Sequence, residues 1–315
     1  GFDLRIPKVA FVGGAPYYRL MTSPTPALTA PASSPTRGIV LMLLTMVVFS
    51  AQDGISRLLA ADYPPVFIVT IRYWAFALFV IAISSIQRGG LRAAVRTSRP
   101  ITQLCRGLLL AIQICFVTFS FHQLGLSATH AIMAITPLMV VAAGALVLRE
   151  QVAPLQWAAV AIGFVGVLIL VAPDGGVFDL YAIIPLGCAV GFATYQILTR
   201  WVGRTDAPQT SFFYTGIGGA LGMTIIGPFF WTEMSPADWI WMAALCLSGA
   251  TGHFLLIKAY EATEASRLQP FAYLQLVLTS IMGVLVFSEV LTANLLIGAA
   301  ITVGAGLLAW QIQRR

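Results

Sequence analysis

The chain is poor in charge. Only 10% of its 315 residues are Asp, Glu, Lys or Arg, where a soluble domain carries about 25%. A water-exposed globular surface is therefore excluded. It has two lysines, Lys8 and Lys258, and neither follows a glycine-rich loop, so no phosphate-binding loop exists to harness nucleotide hydrolysis. The four cysteines are Cys105, Cys115, Cys188 and Cys246; they form no CxxC pair, so neither a disulfide framework nor a zinc site is implied. Three histidines, His122, His130 and His253, lie too far apart along the pattern for a shared metal site. No GxSxG elbow, HExxH pair or DDxxD cluster is present, and enzymatic chemistry and cofactors are not expected.

What fills the chain is apolar. The hydrophobic fraction is 58% and the mean hydropathy +0.87. Residues 37–312 divide into ten apolar runs: 37–59, 65–86, 101–122, 128–148, 154–172, 180–200, 209–231, 236–258, 265–287 and 293–312. Each is long enough to cross a hydrocarbon core of about 30 Å. With the N-terminus in the cytoplasm, Arg57 alone falls in an outer loop, Arg72 and Arg106 fall inside spans, and the remaining basic residues fall on inner segments. That asymmetry predicts both termini inside. The net charge of +6 then reflects topology and contact with anionic lipid head groups rather than nucleic acid. Trp157, Trp201, Trp231, Trp239, Trp241 and Trp310 sit near span ends, where indole prefers the interface; Trp74 lies deeper.

Residues 1–36 read as a disordered cytoplasmic tail rich in Pro, Ser, Thr and Ala, with Met21 a candidate native start and 1–20 an extension. The remainder reads as two repeats, 37–172 and 180–312. A shift of 139 places Ser127 on Ser266, Gly144 on Gly283 and Glu150 on Glu289; a shift of 143 places Phe49 on Phe192, Arg57 on Arg200 and Pro65 on Pro208. Five spans per half is an odd number, so the halves are expected to insert with opposite orientation, as in alternating-access carriers. The expected fold is all-α integral membrane: ten transmembrane helices in two inverted five-helix repeats around a central cavity.

Few residues could carry chemistry at membrane depth, where an ionisable group is costly and faces a cavity or a partner. Asp53 and Arg72 come at matching depth on consecutive antiparallel spans and are predicted to pair, with Arg57 one turn from Asp53. They either staple the first two spans or form a charged vestibule; an unpaired Arg72 would hold a substrate carboxylate. Arg106, near the inner end of span 3, is expected to snorkel. Trp74, Gln113, Tyr195, Tyr273, Gln275 and Arg72 are the candidate cavity residues, for a small amphipathic metabolite. Asp53, Arg72, Pro137, His130 and Gln196 are the candidate gating or structural residues. Pro137 removes a hydrogen bond in mid-span 4 and marks either a hinge or a static bend. Leu276 stands where symmetry would place its counterpart, which argues against a matching kink in span 9, unless Pro270 supplies one earlier. Glu150 and Glu289, at the ends of spans 4 and 9, read as turn or helix-start elements.

Several stretches together resemble the EamA family of the drug/metabolite transporter superfamily. They are FSAQDGISRLLAADYPP (49–65) with IRYW (71–74), the TP-containing span that ends LVLREQVAPLQW (136–157), GFVGVLIL (163–170), RLQPFAYLQ (267–275) and LVFSEVLTANLLIGAAI (285–301). The resemblance implies secondary transport of small organic metabolites across the bacterial inner membrane, without ATP. Members export amino acids, including aromatic ones, or move riboflavin or S-adenosylmethionine. The expectation is amino-acid export, with a larger metabolite such as riboflavin or S-adenosylmethionine as the alternative. Small-molecule substrate and lipid are the expected partners, and a monomer suffices.

Overall fold

A computed structural model describes residues 35–87, 89–147, 152–171, 180–203, 205–262, 268 and 271–313. The expected N-terminal tail (through residue 34), Glu150 and Pro270 lie outside the described residues.

All regular structure among the described residues is helical. The long helices are α1 (Pro35–Leu59), α2 (Pro65–Ile86), α4 (Pro100–Leu124), α7 (Pro154–Val171), α8 (Ile183–Val202), α9 (Pro208–Ile226), α10 (Asp238–Ala262) and α12 (Ala293–Gln313). A short α3 (Gly90–Val95) lies in the basic connection after α2. The fourth span is α5 (Leu126–Met133) followed by α6 (Thr136–Val147), and the ninth contains α11 (Leu274–Phe287). Nine spans among the described residues are long and apolar enough to cross a membrane, and α11 is a shorter apolar helix. The protein is a multi-pass membrane protein with a ten-helix fold.

Proline sets many of the boundaries. α1, α2, α4, α7 and α9 all begin on a proline, at positions whose N–H would have no intrahelical partner. The helices carry apolar side chains all round: Leu78, Ile101, Leu146, Ile225 and Leu285 stand exposed on the bundle exterior. That is the pattern of a lipid-facing surface, not an aqueous one.

Close crossings depend on glycine. A Cβ on Gly107 would sit 2.6 Å from the Tyr214 carbonyl, and one on Gly218 would sit 2.7 Å from the Leu104 carbonyl, so α4 and α9 approach backbone to backbone. Helix pairings follow an exchange of halves. α1 packs on α10 as α8 packs on α4; α4 packs on α9 as α10 packs on α2; α1 packs on α11 as α8 packs on α6; α7 and α12 pack on each other.

Two spans are interrupted at corresponding places. Between α5 and α6 the chain turns at Ala134–Ile135. Pro137 has no N–H to offer the Met133 carbonyl, and the Thr136 hydroxyl takes that carbonyl instead, at 2.6 Å. In span 9 the turn falls at Tyr273, immediately before α11. The shift of 139 carries Ala134 onto Tyr273, so the interruption recurs even though Leu276 replaces the proline. The matching interruption that Leu276 argued against is thus present, three residues after Pro270 in the sequence.

Candidate functional site

A cavity opens between α2, α4 and α10. Arg72, Tyr73 and Phe76 face it from α2, Ile114 from α4, and Cys246, Gly249 and His253 from α10. His253 packs its ring against Phe76 (centroids 5.3 Å apart) and Phe49 (5.2 Å), which makes that wall aromatic. The volume is about 20 Å³, room for about one water molecule. Arg72 has no hydrogen bond or ion pair among the described residues.

The expected Asp53–Arg72 pair is not made, because the Asp53 carboxylate is already engaged. Its Oδ2 accepts a hydrogen bond from Gln275 Nε2 at 2.7 Å and another from His130 Nε2 at 3.0 Å. His130 is the last-turn residue of α5 and stacks on Phe121, 5.4 Å away. Gln275 is in the first turn of α11. One carboxylate on α1 thus joins the two interrupted spans beside their breaks. Asp53 still lies within electrostatic reach of Arg72 without bonding it.

Arg57 does not pair with Asp53 either. It forms an ion pair with Glu289 and lies over the Phe287 ring, 4.3 Å from its centroid. Glu289 also caps α5: Leu126 N–H donates to Oε1 at 2.7 Å, and Ser127 N–H donates to Oε2 at 3.0 Å. Those two amides are first-turn donors with no intrahelical acceptor, and a carboxylate there is favoured by the helix dipole. Gly125, with φ of 87°, makes the left-handed bend that turns them toward Glu289. This clamp holds together the C-terminal end of α1, the C-terminal end of α11 and the N-terminus of α5.

A second polar cluster lies at the other end of α4, a helix of 25 residues. Arg106 is 1% exposed. Its guanidinium donates to Gln103 Oε1 (2.9 Å), to Thr199 Oγ1 (3.1 Å) and to the Ser211 carbonyl, and lies 5.0 Å from the Tyr195 ring centroid. It does not snorkel as expected; three helices supply acceptors for it inside the protein. Gln103 Nε2 passes the network to Asp206 Oδ2 at 2.8 Å, where the Thr97 hydroxyl also donates at 2.5 Å. Partial burial disfavours the Asp206 charge, but hydrogen bonds from Thr97, Gln103, the Ser98 backbone and Thr205 outweigh it and hold the carboxyl below its ordinary range. The Tyr214 hydroxyl donates to the Val95 carbonyl at 2.9 Å, so the basic α2–α4 connection is docked on α9.

The candidate cavity residues are thus dispersed. Arg72 faces the cavity. Gln275 reaches Asp53. Tyr195 belongs to the Arg106 cluster and stacks on Phe192. Gln113 is buried near α8, where Cys188 lies against its backbone carbonyl, and Gln196 is half-buried on α8. Tyr273 is at the span 9 break with its hydroxyl buried against Gly306. Trp74 lies away from the cavity: its indole is 36% exposed, bonds Thr224 at 2.8 Å and tilts against Trp231. One helical step separates Trp74 from Tyr73, and a step of 100° moves a side chain from wall to exterior. His253, Cys246 and Gly249 were missed as a wall; an isolated His on an apolar span was their only signal. Among the described residues, no group of three His, Cys, Asp or Glu side chains could hold a metal ion.

The model of the EamA-like transporter family matches residues 36–172 and again 179–310. An S-adenosylmethionine uptake transporter of Rickettsia prowazekii is 24% identical over 270 residues, covering 86% of this chain and 91% of the relative. A riboflavin transporter of Vibrio cholerae is 27% identical over 281 residues, covering 85% and 91%. Another riboflavin transporter, of Brucella anthropi, is 27% identical over 247 residues, covering 76% and 86%. A solved crystal structure superposes with a TM-score of 0.64 over 90% of this chain and 100% of its own, at 18% identity, which speaks to fold alone.

Proposed function

The chain belongs to the EamA-like transporter family, a family of carriers, and from that premise we propose that it moves a nitrogen-heterocyclic metabolite, of the riboflavin or S-adenosylmethionine kind, across the bacterial inner membrane. The observation that carries this substrate class is the cavity between α2, α4 and α10, which combines aromatic walls with one uncommitted guanidinium. The substrates named for the relatives carry ring systems that suit such a wall, and those names favour the alternative expectation over export of amino acids, aromatic ones included.

The carrier works by alternating access between two five-helix repeats, 37–172 and 180–312, inserted in opposite orientation with both termini cytoplasmic. Metabolite pockets run to about 300–1,000 Å³, so a cavity of about 20 Å³ must widen as helices separate. In this scheme the Arg57–Glu289–α5 clamp is the outer gate. Asp53 is the joint that couples movement of α1 to the two interrupted spans.

Counterflow in proteoliposomes tests the proposal. Vesicles loaded with unlabelled compound are assayed for entry of labelled riboflavin, S-adenosylmethionine and a panel of amino acids. Saturable exchange of a heterocycle is the expected result. Exchange confined to amino acids would overturn the substrate assignment and leave the carrier standing.

A further inference from the structure

The two intramembrane arginines are both charged, yet only one is satisfied. Arg106 has acceptors on three helices; Arg72 has none among the described residues and looks into the cavity. An intramembrane guanidinium left without an acceptor is costly, and such residues mark ligand pathways. Asp53, the carboxylate within electrostatic reach of Arg72, is taken by His130 and Gln275. No Asp or Glu lines the cavity among the described residues. Arg72 is thus the charged side chain on the cavity wall, and among the described residues that wall offers no carboxylate to pair a cationic ligand.

A second unsatisfied group borders the same wall. Gln52 Oε1 is buried without a hydrogen-bond partner among the described residues, and a Cβ placed on Gly249 would lie 3.1 Å from it. The glycine therefore leaves this acceptor behind a wall with no side chain. A guanidinium presents several N–H donors in a planar fork, and the glutamine oxygen accepts one. A ring edge that alternates carbonyl, N–H and carbonyl matches this donor–acceptor set. The flanking rings of Tyr73, Phe76 and His253 offer faces for a planar system.

We infer that Arg72 is the specificity-determining residue of the carrier: it binds the carbonyl-bearing edge of a neutral or anionic planar heterocycle and rejects net-cationic substrates. This deepens the proposed heterocycle function and rests on it. Riboflavin, neutral with an imide edge, meets the requirement. S-adenosylmethionine has a carboxylate for Arg72 but leaves its sulfonium and ammonium without a counter-charge in the cavity.

The test uses the purified full chain. Binding of riboflavin and of S-adenosylmethionine is measured by titration, and counterflow of each in proteoliposomes, for wild type, Arg72→Gln and Arg72→Lys. Wild type is expected to bind and exchange riboflavin and to exclude S-adenosylmethionine. Arg72→Gln is expected to weaken riboflavin binding on the order of tenfold or more, the size of a lost charge-assisted hydrogen bond, and to narrow the gap between the two ligands. Arg72→Lys retains the charge but not the fork; it is expected to keep excluding the cation while losing riboflavin affinity. Thermal unfolding of each variant separates a binding loss from a folding loss. Preference of wild type for S-adenosylmethionine overturns the inference and leaves the heterocycle carrier intact. Riboflavin binding unchanged within twofold in a folded Arg72→Gln also overturns it. If neither heterocycle binds or exchanges while amino acids do, the inference and the proposed function fall together.

Discussion

Arg72 and Arg106 are the same residue type on neighbouring spans, and the protein treats them in opposite ways. Arg106 is fully buried and held by Gln103, Thr199, Ser211 and the Tyr195 face. Arg72 is half-buried beside a cavity and bonded to nothing among the described residues. A guanidinium in a low-dielectric interior is tolerable when its donors are filled. The Arg106 cluster is accordingly a rivet between α4, α8 and α9. Arg72 holds unspent hydrogen-bonding capacity, and unspent capacity at membrane depth is what a ligand can use. The comparison teaches that burial of charge alone does not identify a site; the state of its partners does.

The largest effect should come from removing the rivet. Arg106→Met leaves the Gln103 and Thr199 oxygens without this donor, while the Ser211 carbonyl keeps the Thr215 hydroxyl; stranding buried acceptors costs about 1–3 kcal/mol each. The expected outcome is poor folded yield and a large fall in the unfolding midpoint by fluorescence size-exclusion. Arg72→Met should keep its midpoint within a few degrees. If the two substitutions were equally destabilising, the contrast would be broken.

Next comes the clamp. Glu289→Ala strands two first-turn amides of α5 and the Arg57 charge, for a cost of about 2 kcal/mol. Glu289→Gln, which still accepts hydrogen bonds, should recover about half of that. A double-mutant cycle with Arg57→Gln should show coupling, as expected for direct partners; additive effects would remove the clamp.

Asp53→Asn should have a smaller effect on stability, about 1–2 kcal/mol, since the amide oxygen can still accept from His130 and Gln275. Its transport effect should be larger than its stability effect, because the joint between α1 and both interrupted spans loses its charge. Counterflow and melting measured on the same preparation distinguish the two.

The smallest prediction concerns pH. The Asp206 carboxyl titrates below its ordinary value of 3.8 in the folded protein. The folded state therefore binds this proton less readily than the unfolded state, and the stabilisation is complete above the ordinary value. It is lost as pH falls through the lowered folded value. Asp206→Asn should lower stability by about 1 kcal/mol at neutral pH, with the gap to wild type closing on acidification. A gap that stayed constant down to acid pH would show the charge to be unimportant.

Much of this was legible from residues alone. The apolar runs begin within one residue of the prolines that start α2, α4, α7 and α9, where proline fits the first turn. Length and hydropathy placed the spans, since the bilayer sets how many apolar residues are needed. The interruption at Tyr273 was only half legible, because Leu276 argued against it while Pro270, three residues earlier, allowed it. The partners of Asp53 were not legible; they lie 77 and 222 residues away. Matching depth on adjacent spans made Arg72 the natural guess, but depth does not specify rotation about a helix axis. The same gap misplaced Trp74, one residue from the cavity wall in sequence and on the exterior in space.

The residues alone gave ten spans and the short list of polar side chains that the apolar matrix has to accommodate. Those follow from composition and period, which act locally along the chain, whereas the family followed from the stretches that resemble EamA proteins. Tertiary packing alone settles which arginine is saturated and which has no partner among the described residues, which carboxylate caps α5 and which joins the interrupted spans. Hydrogen bonds need donor and acceptor within about 3 Å, and that proximity is set by helix rotation and crossing between segments far apart in the chain.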